Sequence, residues 1–224
     1  MAPPRQLALT LEHAESLDRE DFLTGPSNAA ALALIESWPD WPNRALALVG
    51  PEGCGKSHLA AIWAQTTGAR LVAARALDHS MVPAALTTGA LVVEDLASGE
   101  FDERVLLHLL NLAREDEAFL LLTTRTAPAG WNVMVRDLGS RLKSLPVIVM
   151  APPDDALFRA VLVKLFTDRQ IAVDENLIGY LATRIERSFA AAREVVQRLD
   201  REALQRKRPL SRALAAEILH LPAT

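Results

Sequence analysis

The chain has 224 residues, of which 50% are hydrophobic and 23% charged, with a formal net charge of −4. That balance suits one sizeable α/β core with a small appendage and argues against a general binder of polyanions. The single cysteine, Cys54, leaves no internal disulfide and no thiolate zinc site, no apolar run reaches the roughly 20 residues of a membrane span, and nothing at the N-terminus resembles a secretory leader, so a cytoplasmic protein without a membrane partner is expected.

Residues 1–21 read as an extension. Within it Gln6-Leu7-Ala8-Leu9-Thr10-Leu11 alternates as a strand does, between a Pro-Pro pair and a charged run. Two readings stay open: an edge strand on its own domain, or an extended peptide that delivers Leu7, Leu9 and Leu11 to another protein's groove. Phe22 to Asn28 form a turn into a helix over 29–37, which the prolines of Trp38-Pro39-Asp40-Trp41-Pro42 close. Ala45-Leu46-Ala47-Leu48-Val49 is a continuous apolar run, as a strand buried on both faces requires. A glycine-rich loop follows, then a helix over 58–65 ended by Thr66-Thr67-Gly68. Further strands are expected at 70–74, 90–95, 119–123 and 147–150. One short helix joins the second and third, and a longer one covers 101–115, where Val105, Leu106, Leu109, Leu110 and Leu112 recur at helical spacing. Strand alternating with helix implies an α/β fold over 22–151, a five-stranded parallel sheet with helices on both faces. Pro152-Pro153 marks a boundary. Residues 152–224 then read as a small all-α lid with helices over 154–169, 174–187, 189–206 and 211–219.

The loop Gly50-Pro51-Glu52-Gly53-Cys54-Gly55-Lys56-Ser57 fits G-x-x-x-x-G-K-[ST], with a strand before it and a helix opening at His58 after it. Strand, glycine loop and helix are the parts of a phosphate cradle. The glycines let backbone N–H groups turn toward a β-phosphate, and the helix N-terminus adds its positive end. Lys56 reaches the β- and γ-phosphates and Ser57 ligates Mg²⁺. The acidic pair Glu94-Asp95 ends a buried strand, where such proteins place a Mg²⁺ carboxylate and a water-orienting one. Thr123, at the tip of the next strand, can set a hydroxyl between that pair and the γ-phosphate. Two arginines stand out: Arg141, before the last strand at the edge of the unit, and Arg193 in the lid. Either is a surface arginine or a phosphate contact, Arg141 to a neighbouring subunit's nucleotide and Arg193 to its own. The scattered histidines give no ligand spacing, so no metal beyond nucleotide-borne Mg²⁺ is expected.

Together these residues resemble the AAA+ ATPases, and most closely the DnaA family. Phe22-Leu23-x-Gly25-x-Ser27-Asn28 resembles that family's stretch beside the adenine ring. Leu120-Leu121-Leu122-Thr123-Thr124-Arg125 resembles its sensor 1, Leu138-Gly139-Ser140-Arg141-Leu142 its arginine-finger box, and Ala192-Arg193-Glu194-Val195 its sensor 2. The resemblance spans roughly residues 22–220. It implies ADP or ATP with Mg²⁺ as cofactor and a role in DNA replication. The helix-turn-helix that reads duplex DNA in the initiator is not matched, so no direct sequence-specific DNA binding is expected. With Gln6-Leu7-x-Leu9-x-Leu11, the chain is similar to the family's regulatory branch. Members of that branch bind the sliding clamp, the β subunit of DNA polymerase III, through such a peptide. The implied partners are the clamp and DnaA, whose ATP would be hydrolysed with Arg141 inserted in trans; a homo-oligomer is also compatible.

One departure matters. The family usually carries Asp first in its acidic pair, whereas Glu94 stands there here. The extra methylene displaces the Mg²⁺ carboxylate, and a misplacement of that order can cost on the order of 100-fold in rate. Weak intrinsic ATPase is therefore expected. The competing readings are an autonomous AAA+ ATPase of the DnaC helicase-loader type and a truncated DNA-binding initiator. Steady hydrolysis without partners would mark the first, and salt-dependent binding to duplex DNA the second.

Overall fold

The computed structural model describes residues 17–220. Five strands, β1 (Ala45–Val49), β2 (Arg70–Ala73), β3 (Ala90–Leu96), β4 (Phe119–Thr124) and β5 (Val147–Val149), form one parallel sheet in the order β2-β3-β4-β1-β5. Their apolar runs are continuous because both faces are covered. Leu46 and Leu48 of β1, Val92 of β3 and Leu121 of β4 point to one face, where α1 (Ala29–Glu36) and α2 (Lys56–Thr67) bury Leu32, Leu59, Ile62 and Trp63 against them. The Trp41 and Trp63 rings stack there at 4.9 Å. Alternate residues Ala47, Leu91, Val93, Leu120 and Leu122 point to the opposite face. They meet α3 (Val82–Ala85), α4 (Glu103–Glu115) and α5 (Arg136–Ser144), the last two through Leu106, Leu109, Leu138 and Leu142. Each fully buried leucine of this kind contributes about 1.5–3 kcal/mol.

The lid consists of α6 (Asp155–Asp168), α7 (Glu175–Ala182), α8 (Phe189–Arg206) and α9 (Arg212–Leu219) around Phe158, Leu162, Phe166, Leu181 and Leu199. Each helix starts where a short polar side chain can bind a free first-turn N–H. Asp154, Asp174, Ser188 and Ser211 accept from Leu157, Leu177, Ala191 and Leu214 respectively.

Three elements differ from the sequence reading. α2 opens at Lys56, two residues before 58, because Gly55 in the left-handed region starts it. α7 ends at Ala182 and not near 187. Thr183 Oγ1 there donates to the Gly179 and Tyr180 carbonyls and competes with continuation of the helix. A helix not anticipated, α5, occupies the stretch before β5. Glu103 of α4 accepts hydrogen bonds from the Met134 and Val135 N–H groups and fixes its entry.

Candidate functional site: a phosphate loop roofed by the lid

The loop at the C-terminal end of β1 is shaped by close approach. A Cβ on Gly50 would lie 2.5 Å from the Met150 carbonyl oxygen and 2.8 Å from Cys54 Sγ, so no side chain fits. Gly53 and Gly55 sit at φ +70° and +99°, where L side chains are strained. This backbone delivers the chain into α2, whose first-turn N–H groups face the same concavity.

Lys56 is buried, with 7% of its surface exposed, and its ammonium donates to the carbonyls of Gly50 and Pro51 at 2.8 Å each. Among the described residues no carboxylate neutralises it. A buried cation held at a loop rim by carbonyls alone is suited to a phosphate. Cys54 Sγ lies 3.9 Å from the same ammonium. Burial pushes its thiol up, against the opposing pull of Lys56, so it is a packing group of the loop.

Across the sheet, the β3–β4 register breaks between Val93 and Leu96, and Asp95 takes φ 55°. The Asp95 N–H donates to the fully buried Thr123 Oγ1 at 3.0 Å. Thr123 thus holds the acidic tip in place through its acceptor lone pair. Glu94 Oε1 is shielded from solvent and has no hydrogen-bond partner, while Asp95 is exposed. A shielded carboxylate oxygen without a donor is costly unless a cation meets it. The donor set Glu94 and exposed Ser57 therefore fits a nucleotide-borne Mg²⁺, and the loop with Lys56 fits the phosphates.

Other candidates sit differently from the sequence reading. Asn28 is 2% exposed and spends both ends of its amide on the turn before α1: Oδ1 accepts from Gly25 N–H at 2.9 Å, and Nδ2 donates to Leu23 O at 3.0 Å. It acts on the site by shaping that strap. His58 Nε2–H donates to Asp18 O at 3.0 Å, and its ring meets Phe22 edge-on. Its side chain therefore ties down the segment before residue 22, and only its backbone belongs to the cradle. Glu52 pairs with Arg125 of the β4 tip at 2.8 Å. Gln6, Leu7, Leu9 and Leu11 lie outside the described residues.

The lid reaches the loop directly; the sequence reading brought Arg193 of the lid to the chain's own nucleotide as one alternative but gave no contact between lid and loop backbone. Phe189 N–H donates to Gly53 O at 2.7 Å. The Ser188 and Ala190 side chains crowd the missing Cβ of Gly53, and the Phe189 ring crowds that of Gly55. Arg193 follows Phe189 by one helical turn and so shares its loop-facing side. The only local signal was Ser188, a capping residue before an apolar run.

Arg141 lies elsewhere. α5 covers the face of the sheet opposite to α2, and Arg141 is half-buried in an open groove between α4 and α5. Among the described residues it has no carboxylate within ion-pair distance.

A five-stranded parallel sheet with strand order β2-β3-β4-β1-β5, a glycine-rich loop after β1 and a helical lid over that loop give the chain the AAA+ fold, which the replication initiator DnaA and RuvB share. Domain III of the replication initiator DnaA from Thermotoga maritima is similar over 91% of this chain and 95% of its own, with a TM-score of 0.74 at 18% identity. AMPPCP-bound DnaA from Aquifex aeolicus matches 84% of this chain and 67% of its own, at TM-score 0.67 and 17% identity. The RuvB Holliday junction branch migration motor of Thermotoga maritima matches 92% and 72%, at 0.74 and 15%. No family model and no curated protein matches the sequence. No helix among the described residues is long and apolar enough to cross a membrane.

Proposed function

We propose that this protein is a regulatory partner of the replication initiator DnaA, of the kind represented by Hda. It holds ADP or ATP with Mg²⁺ in its own loop and docks on the sliding clamp through Gln6, Leu7, Leu9 and Leu11. Arg141 completes the ATP site of DnaA, whose nucleotide is then hydrolysed, and re-initiation of chromosome replication is suppressed. The DnaA-like fold and the motifs around Lys56, Thr123, Arg141 and Arg193 support this reading.

The observation that carries it is the setting of Arg141. It stands on the face of the sheet opposite to the helix of its own loop, in an open groove, with no carboxylate within ion-pair distance among the described residues although Asp137 lines the same groove. When water attacks the γ-phosphate, charge spreads over the equatorial oxygens of the transferring group. A guanidinium brought in from another subunit stabilises that charge. In the protein's own loop the nucleotide fixes the lid against the core. Lys56 holds its phosphates, and Glu94, one methylene longer than the family's Asp, keeps intrinsic turnover slow.

Arg141→Ala is expected to lower stimulation of DnaA-bound ATP hydrolysis about 10³-fold, with nucleotide and clamp affinities intact. Undiminished stimulation in a single-turnover assay rejects the assignment. Replacing Gln6 and Leu7 by Ala is expected to remove clamp binding in a titration with purified clamp, and an unaltered affinity returns that stretch to an ordinary strand.

A further inference from the structure

The groove that holds Arg141 contains a second guanidinium. Arg114, in the last turn of α4, lines it from the opposite wall, with Asn111, Asp137 and Ser140 between or beside them. Arg114 is exposed, and among the described residues it too lacks a carboxylate within ion-pair distance. Asp137 is the groove's one acid, and it sits in the first turn of α5, where the helix dipole favours a negative charge. The groove's balance is therefore cationic although the whole chain is acidic. Two guanidiniums facing one cleft from neighbouring helices match the several oxygens of a phosphate group better than one does.

We infer that Arg114 acts with Arg141 on the same triphosphate of the ATP-loaded partner subunit, approaching it from the α4 wall while Arg141 approaches from α5. This rests on the reading above, in which Arg141 is presented to a second ATPase. The arrangement makes Arg114 a catalytic residue in trans and not a general docking charge. Its loss lowers the saturating rate as well as raising the concentration needed to reach it. Lysine keeps the charge but loses the planar fork, so it restores part of the rate.

The test is single-turnover hydrolysis of ATP bound to purified DnaA, with clamp-loaded DNA present, over titrations of native, Arg114→Ala, Arg114→Lys and Arg141→Ala chains. Arg114 is exposed, and an unchanged melting temperature checks that the variants fold. The expected result is no stimulation by Arg141→Ala, a saturating rate about tenfold below native for Arg114→Ala, and an intermediate rate for Arg114→Lys. If Arg141→Ala is inactive but Arg114→Ala saturates at the native rate, the pairing is overturned and the proposed function stands. The pairing also falls if only the half-saturating concentration moves, because Arg114 then serves docking alone. A native chain that stimulates nothing overturns both.

Discussion

The two faces of the sheet treat their polar groups in opposite ways. On the α2 side the chain answers the polar groups of the loop and its neighbours: Lys56 by the Gly50 and Pro51 carbonyls, Asn28 by Leu23 and Gly25, and the Asp95 N–H by Thr123, while Glu94 Oε1 and the Trp38 and Trp63 indole N–H groups stay unanswered. On the α4–α5 side the Arg114 and Arg141 guanidiniums lie in an open groove with no carboxylate within ion-pair distance among the described residues. Buried groups must be satisfied within the fold or destabilise it, whereas groups in an open groove can wait for another molecule. On the proposed reading the first side holds a small ligand, and the second presents half of a site that another subunit completes.

The largest expected effect tests that asymmetry directly. Lys56→Ala should weaken nucleotide binding by roughly 10- to 150-fold, since it removes a charge-assisted contact worth roughly 1.5–3 kcal/mol. It should also destabilise the chain by about 1–3 kcal/mol, because two loop carbonyls lose their donor away from water. Arg141→Ala should leave folding stability within about 0.5 kcal/mol of native. A fluorescent ATP analogue and chemical denaturation measure the two quantities. Equal stability losses for both variants would erase the contrast between the faces.

A smaller effect concerns the acid that the α2 side does not answer. Glu94→Asp withdraws the carboxylate by one methylene and gives the chain the acid that AAA+ ATPases usually carry first in this pair. Intrinsic ATP hydrolysis is then expected to rise about tenfold, since placement errors near 1 Å carry penalties up to about 100-fold. Nucleotide affinity should change little. Steady-state hydrolysis at saturating ATP reads this out, and a rate no higher than native would mean that the length of Glu94 does not limit turnover.

What could be read from sequence follows the range of each interaction. The loop was legible because its glycine spacing to Lys56 is fixed: Gly53 and Gly55 meet a local need for positive φ, while Gly50 answers the close approach of the Met150 carbonyl oxygen. The lid helices were legible because Asp154, Asp174, Ser188 and Ser211 announce their starts. α5 was not, because Gly139 and Ser140 interrupt its middle and only Leu138 and Leu142 are buried. Its cause is non-local. Glu103 holds its first turn, and Val133 lies 3.2 Å from where a Gly139 Cβ would stand, so glycine serves the packing. The same reason hid what the side chains of His58 and Asn28 bind: each residue type suggested a ligand contact, yet each is used by a backbone atom of a neighbouring segment. Thr123 stands beside the acidic pair as its place at the strand tip suggests. Phe189 over Gly53 joins residues far apart in the chain, and no pattern near either one foretells it.

The smallest effect belongs to the one ion pair that spans the mouth of the loop among the described residues. Glu52 and Arg125 meet at 2.8 Å with 72% and 63% of their side chains exposed. A pair so exposed contributes at most about 1 kcal/mol to stability, so Glu52→Ala should melt close to native. Its effect on ligand is electrostatic. Removing the acid frees the Arg125 guanidinium toward the phosphates, and nucleotide affinity should tighten by up to about fivefold at low ionic strength. That gain should fade near about 0.5 M salt, where charges more than several ångströms apart are screened. A stability loss well above about 1 kcal/mol would instead show that the pair clamps the loop to the β4 tip. The α2 side would then depend on surface charge as well as on its buried hydrogen bonds.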